Sequence, residues 1–357
     1  MRDISRNEII LLWALTCIVF TATIVHFRNY ANEVDNTGDT GDYLHAAFCI
    51  RHADLVDSRV KQFWGVSYVT AAVSSISRFS ERTSLLLVCG ISSLLTVLLA
   101  HRLWGGWISS YFAIINFEWL QRSYLGGSEP LFMALLLASF LAIRQERWLL
   151  ASLLAALATV TRPVGIFALA ALAIALLRKR QFKTLLYCTG LALAIGGLYL
   201  LPFWICLRDP LFQIHSYKTH DWQSGMPVGV PFYALATSMV HNLQPWTNVI
   251  LTGGWIVFVL AGAVAMFRND FRTYSREHLA EAIFALLYIA FLFTYNSQTW
   301  ARADIVRFAI PVLPFVLLSL RDWIPRQRAI VYGMGILCAG LAAFSAIGVP
   351  NIFPALR

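Results

Sequence analysis

"IILLWALTCIVFTATIV", Ile9 to Val25, is an apolar run without a single charge. It approaches the roughly 20 residues that a helix needs to cross the hydrocarbon of a bilayer. Runs of this kind recur to the end of the 357-residue chain, which is 58% apolar and 14% aromatic. The mean hydropathy is +0.64. No soluble domain has this balance, and the sequence predicts an all-α, polytopic transmembrane protein. The opening run follows Arg2 and Arg6 and lacks a small-residue cleavage site, so it reads as a retained anchor.

Working outward from that run, the pattern predicts about eleven crossings. They fall near 9–25, 84–100, 107–120, 130–143, 148–161, 164–177, 184–207, 248–267, 281–295, 308–320 and 329–347. Several are shorter than a straight span requires, and Arg162-Pro163 marks a break between two of them. The net charge of +9 is not spread as a nucleic-acid surface would be. Its surplus sits at alternate helix ends, in Arg144, Arg147, Arg178, Lys179, Arg180, Lys183, Arg268, Arg272 and Arg276 among others. That distribution orients the chain with its N-terminus inside and excludes a nucleic-acid partner. The six cysteines (Cys17, Cys49, Cys89, Cys188, Cys206, Cys338) show neither metal-ligand nor disulfide spacing and read as small apolar residues.

Residues 1–357 read as one integral-membrane domain with two long outer stretches, about 26–83 and 208–247. The halves show no repeat, which counts against transporter folds built from duplicated bundles. The first stretch includes "QFWGVSYVTAAVSSISRF" (62–79), an amphipathic segment suited to the headgroup level. The second, "RDPLFQIHSYKTHDWQSGMPVGVPF" (208–232), reads as an irregular loop over a cavity mouth.

A chain that is 13% charged concentrates Glu33, Asp35, Asp39 and Asp42 in "NEVDNTGDTGDYLHAAF" (32–48). A calcium loop counted from Asp35 would need Gly and Glu where Thr40 and Ala46 stand. Capping of a helix over 40–51, with Asp39 and Asp42 as acidic capping pair, explains part of the cluster. The functional reading is a carboxylate base at the outer surface, since ionisable groups at a membrane boundary facing a cavity are functional candidates.

"DTGDYLHAA" (39–47) resembles the "D-E-x-x-Y-x-x-x-A" pattern in the first outer loop of GT-C glycosyltransferases, which use polyprenyl-phosphate sugars. Asp39 falls on the leading acid, Tyr43 on the aromatic and Ala47 on the small residue; Thr40 replaces the second acid, leaving Asp42 or Asp35 to supply that charge. Gly126 to Leu177, with "GGSEPLF" and "TRPVG", resembles the "S-E-x-L-F … T-R-x-x-G" block of bacterial relatives of the GPI second-mannosyltransferase family. "HRLWGG" (101–106) and "RFAIPVLPFVLL" (307–318) are similar to further GT-C segments.

The resemblance implies a membrane glycosyltransferase of GT-C-like fold, with Asp39, Glu129 and Asp42 catalytic and Tyr43 shaping the pocket. It implies transfer of a sugar, mannose being the one it suggests, with inversion, to a hydroxyl on a glycan, lipid or protein acceptor. Glu129 has a plain alternative as the first-turn acid of a helix begun by Ser128 and Pro130. Arg302, Arg307, Arg162 and Lys61 are the expected substrate contacts, because guanidinium and ammonium groups meet a lipid phosphate; interfacial snorkelling is the alternative for each. Arg59 and Arg122 complete the outer basic set, while Asp221 and Asp304 have no local role. No histidine pair has ligand spacing, no cofactor is required, and a divalent metal is compatible with carboxylates beside a phosphodiester. The expected location is the bacterial inner membrane, in contact with membrane lipids, with the active site on the periplasmic side. A lipid or sugar flippase and a non-catalytic lipid-binding homologue are the rival classes.

Overall fold

The computed structural model describes residues 3–36, 39–54, 60–220, 226–241, 246–296 and 305–347. Helices account for nearly all of them. In chain order they are α1 (Arg6–Phe27), α2 (Tyr30–Asn36), α3 (Thr40–Arg51), α4 (Gly65–Ser77), α5 (Glu81–Trp104), α6 (Gly106–Ile115) and α7 (Phe117–Tyr124). There follow α8 (Glu129–Arg144), α9 (Trp148–Thr161), α10 (Ile166–Arg178), α11 (Phe182–Leu207), α12 (Phe212–His220) and α13 (Tyr233–His241). The last are α14 (Trp246–Ala265), α15 (Asn269–Glu277), α16 (Leu279–Thr294), α17 (Ile305–Phe308), α18 (Leu313–Ser319) and α19 (Arg328–Ile347). Among the described residues there is no strand beyond an isolated antiparallel bridge between Val228 and Tyr295.

Local chemistry explains where the helices start and stop. Ser5 and Glu8 form a reciprocal capping box at α1, with Ser5 N–H donating to Glu8 Oε2 at 2.8 Å. Ser80 caps α5 by accepting from Thr83 N–H at 3.2 Å. Each proposed crossing coincides with helical structure, but two are interrupted. Asn116 is extended (φ −103°, ψ 116°) and its side chain accepts from Trp119 N–H at 2.8 Å, so it ends α6 and caps α7 inside the expected 107–120 span. Pro311 and Pro314, which lack N–H donors, divide the expected 308–320 span into α17 and α18. The Arg162-Pro163 break is present as a 3₁₀ turn at Pro163–Gly165.

Among the described residues, α1, α5, α11 and α19 are each long and apolar enough to cross a membrane, and the count is six if the bent pairs α7–α8 and α15–α16 each make one span. Helices α6, α9 and α10 are apolar but shorter than an upright span needs. The stretch 208–232, expected to be irregular, contains α12 in its "FQIHSYKTH" portion, where neither glycine nor proline interrupts the chain.

Contacts divide the chain into two compact units. Unit 1 holds 1–137, 160–162 and 324–357; unit 2 holds 138–159 and 163–323. In unit 1, α1 packs along α19, α4 packs on α3 and α5, and α6 on α5. The approach of α19 to α1 depends on Gly335, where a Cβ would stand 2.9 Å from Leu12 Cδ1. In unit 2, α10 packs on α11 and α16, and α14 on α18. Phe140, Phe284 and Phe315 form its aromatic centre, with Phe140 and Phe284 rings 5.3 Å apart, edge to face. The amphipathic 62–79 segment is α4, whose inward side is small (Ser67, Thr70, Ala71, Ser74) and whose outward side carries Val69 and an 86% exposed Ile76.

Candidate functional site

Unit 1 gathers most of the candidate residues around the start of α3 and the α7–α8 connection. Helix α3 begins at Thr40, as the sequence implies, but Asp39 does not cap it with its side chain. Its Oδ1 instead accepts from Gln62 Nε2 at 3.2 Å, and Gln62 is buried just ahead of α4. The capping explanation of Asp39 is therefore corrected: its backbone conformation (φ −80°, ψ 3°) is not the extended one that aims a capping oxygen at the first turn.

Asp42 lies one turn further on and shares this environment. Its carboxyl is pushed above the usual carboxylate range, first by burial and then by the negative charge of Asp39. Gln62, Lys61 and His45 pull in the opposite direction. Of the two residues able to supply a second acid, Asp42 shares Asp39's surroundings, whereas Asp35 pairs with Arg82 at a half-exposed site.

The next two residues on the inner side of α3 tie it to the α7–α8 connection. Thr40 Oγ1 donates to the Gly126 carbonyl at 3.0 Å, and the Tyr43 hydroxyl donates to Ser128 Oγ at 3.0 Å. Tyr43 is buried among Val66, Leu85, Val88 and Cys89, and its own carbonyl accepts from Ser67 Oγ at 3.1 Å. Asp39 and Glu129 thus each flank a residue that makes one of these ties.

Two glycines make the connection fit. Gly126 has φ +104°, a conformation that side chains disfavour, and a Cβ there would come 3.0 Å from Thr40 Cγ2. At Gly127 a Cβ would stand 2.7 Å from Glu129 Oε2 and 2.8 Å from Arg122 Cδ, so the backbone passes between an acid and a base. Cys89 Sγ meets the Gly127 carbonyl at 3.2 Å beneath it.

Glu129, 2% exposed, opens α8 and is ion-paired with Arg162, whose Nη1 also reaches Ser128 Oγ at 3.3 Å. Arg162 is delivered by the end of α9, held against α4 at Gly65, where a Cβ would lie 2.6 Å from Thr161 Oγ1. A second pair lies nearby: Arg122 Nη2 to Glu118 Oε2 at 2.9 Å, one helical turn apart and largely buried. Burying such charges is tolerable only because each guanidinium has a carboxylate partner.

The structure therefore brings together Asp39, Asp42, Lys61 and, through Tyr43, the Glu129–Arg162 pair. Arg307 belongs to α17 in unit 2, and Arg302, Arg59, Asp221 and Asp304 lie outside the described residues. Sequence reading missed Gln62 and Glu118. Glu118 was visible as an acid four residues before Arg122 on one helix face; Gln62 had no local signal. Among the described residues, no group of three or more His, Cys, Asp or Glu side chains gathers at metal-binding separation.

No family model and no curated protein matches the chain. Solved structures do. The chain is similar in fold to ArnT from Cupriavidus metallidurans. Against apo ArnT the TM-score is 0.52 at 16% identity, covering 96% of this chain and 78% of that one. Against ArnT bound to undecaprenyl phosphate it is 0.51 at 17% identity, covering 97% and 64%. This likeness is one of fold, and it agrees with the all-α, polytopic membrane architecture expected from the sequence.

Proposed function

We propose that this protein is a GT-C-like membrane glycosyltransferase that moves a sugar from a polyprenyl-phosphate carrier to an acceptor hydroxyl. The observation that carries the proposal is the joining of Asp39, Asp42 and the Glu129–Arg162 pair through Thr40 and Tyr43, in a fold shared with a protein crystallised with undecaprenyl phosphate.

In this reading Asp39 is the general base. It takes the proton of the acceptor hydroxyl as that oxygen forms a bond to the anomeric carbon. The bond from the anomeric carbon to the phosphate oxygen breaks, and the lipid phosphate leaves with its electron pair. A single in-line displacement inverts the configuration at that carbon. Such a base contributes about 10²–10⁴ in rate. Gln62 orients the Asp39 carboxylate by donating to Oδ1.

Glu129 receives a hydroxyl of the sugar or acceptor, with Arg162 fixing its carboxyl group. Lys61, beside the acids, meets the departing phosphate. Mannose is the sugar the sequence resemblance favours; the distribution of basic residues places the acids on the outer side, and the likeness to bacterial-type relatives favours the periplasmic face of a bacterial inner membrane. A divalent metal is not required, since phosphate is already a competent leaving group.

The test is transfer of labelled sugar from a polyprenyl-phosphate donor by membranes carrying wild-type or Asp39→Asn protein. The expected result is donor consumption that falls at least 10²-fold in the variant. Turnover near normal in Asp39→Asn would remove Asp39 as base, and solute movement without donor consumption would favour a transporter.

A further inference from the structure

Unit 2 contains a cavity of about 450 Å³ that the proposed chemistry does not use. Its walls come from the ends of α8 and α10, the start of α9, and the α15–α16 bend. All of these belong to the strongly basic set of helix ends, so the cavity lies where the chain concentrates positive charge.

The charges around it are not equivalent. Arg144 is satisfied by Glu281, with Nε to Oε1 at 2.6 Å and Nη2 to Oε2 at 2.9 Å. Lys179 is satisfied by Glu146 at 2.6 Å and stands over the Trp148 ring, 4.9 Å from its centroid. Arg178 and Arg276 also line the cavity, and among the described residues neither makes an ion pair. Glu277 is the acid left on the wall to oppose them.

A second positive feature faces the same space. Leu279, Ala280 and Glu281, the first turn of the 16-residue α16, line the cavity, and the His278 side chain does not cap that helix. The first N–H groups of a helix have no partner within it and carry its positive dipole end. Two unpaired guanidiniums and an uncapped helix start form a receptor for phosphate oxygens. Ile143, Ala175 and Leu279 supply apolar wall beside it.

We infer that this cavity binds a phosphate-bearing ligand through Arg178, Arg276 and the N-terminus of α16, and that the phosphate is the headgroup of a membrane phospholipid. Apolar walls beside the cationic groups suit an amphipathic ligand better than a free ion, and basic pockets between membrane helices recognise acidic headgroups in this way. The bound headgroup bridges α10 to the α15–α16 bend, which turns by 119°.

The test uses the full-length protein, purified in detergent. Thermal unfolding is followed on titration with phosphatidylglycerol in mixed micelles, with neutral lipid of the same chain length, and separately with inorganic phosphate. The proteins compared are wild type, the Arg178→Gln/Arg276→Gln double variant, and Arg102→Gln/Arg326→Gln, which removes the same charge elsewhere. Both cavity arginines are exposed, so the double variant is expected to fold with an unchanged far-UV spectrum. The expected result is saturable stabilisation of wild type and of Arg102→Gln/Arg326→Gln by phosphatidylglycerol, at least tenfold weaker in the cavity variant, with little effect of neutral lipid. Equal stabilisation by inorganic phosphate alone, lost in the cavity variant, would keep the phosphate receptor and overturn the headgroup as its source. Lipid binding that is unchanged in the cavity variant, or reduced equally in Arg102→Gln/Arg326→Gln, would overturn the site.

Discussion

The two ends of α8 hold the same pair of charges in opposite order. At its first residue Glu129 meets Arg162, and at its last Arg144 meets Glu281. Both carboxylates are 2% exposed. The surroundings differ. Glu281 is gripped by an Arg144 fork on both oxygens and by the Tyr274 hydroxyl on one of them, which is the geometry of a structural clamp. Glu129 sits against Gly127 and beside Ser128, whose hydroxyl takes bonds from both Tyr43 and Arg162, and that arrangement leads within a few residues to Asp39. A buried acid–base pair is thus not a site by its residue types. What surrounds the acid decides.

The sharpest way to break this comparison is to treat the two acids alike. Glu129→Gln is expected to lower sugar transfer by at least 10²-fold per folded molecule. It also destabilises by about 3–5 kcal/mol, because Arg162 loses its buried counter-charge. Glu281→Gln should show a similar loss in unfolding experiments, again about 3–5 kcal/mol, since Arg144 is left without its carboxylate. Its kcat/KM, corrected for the folded fraction, should stay within about twofold of wild type. If Glu281→Gln abolishes transfer while Glu129→Gln spares it, the assignment of site and clamp is reversed.

A smaller effect is expected at the glycine wall. Gly127→Ala introduces a Cβ 2.7 Å from Glu129 Oε2 and 2.9 Å from Arg122 Cβ. The resulting overpacking should cost about 1–3 kcal/mol and reduce transfer by displacing Glu129. Gly90→Ala, where a Cβ meets nothing within 4 Å, provides the neutral control.

The smallest effect concerns Asp42. Its carboxyl titrates above its unfolded value of 3.8, so the folded state binds the proton more tightly. The stabilisation this brings is complete below the unfolded value and is lost as pH rises through the folded one. Asp42→Asn removes a half-buried negative charge beside Asp39 and should therefore raise the midpoint of thermal unfolding slightly at neutral pH, with the difference disappearing below about pH 4. A variant less stable than wild type at pH 7 would show that the Asp42 charge is wanted in the fold.

How much of this was legible in the sequence differs by feature. The apolar runs located the long helices to within a few residues, and the span 40–51 for α3 agrees with Thr40–Arg51. Length arithmetic failed where helices are short or broken: Asn116 and the two prolines at 311 and 314 each divide a run that hydropathy alone reads as continuous. The acids of the first connection were visible because charge is scarce, but their partners were not. Gln62 reaches Asp39 across 23 positions and Arg162 reaches Glu129 across 33, contacts that no local pattern encodes. The capping pattern misled for a related reason. It records residue types at the right spacing, whereas Asp39 turns its carboxylate to a tertiary partner.

Helix α11 carries a consequence of its own. Its 26 residues rise about 39 Å, well beyond the roughly 30 Å of hydrocarbon in a bilayer. Only 11% of its apolar window is covered by protein, and Gly190, Gly196 and Gly197 face open space. Such a rod must lean, protrude or thicken the lipid around it, and each choice costs a fraction of a kcal/mol per Å of mismatch. Ser152 holds the Cys188 carbonyl at 2.8 Å, and Tyr199 bonds Gln213. Any lean of this helix is carried to the rest of unit 2 at those two attachments.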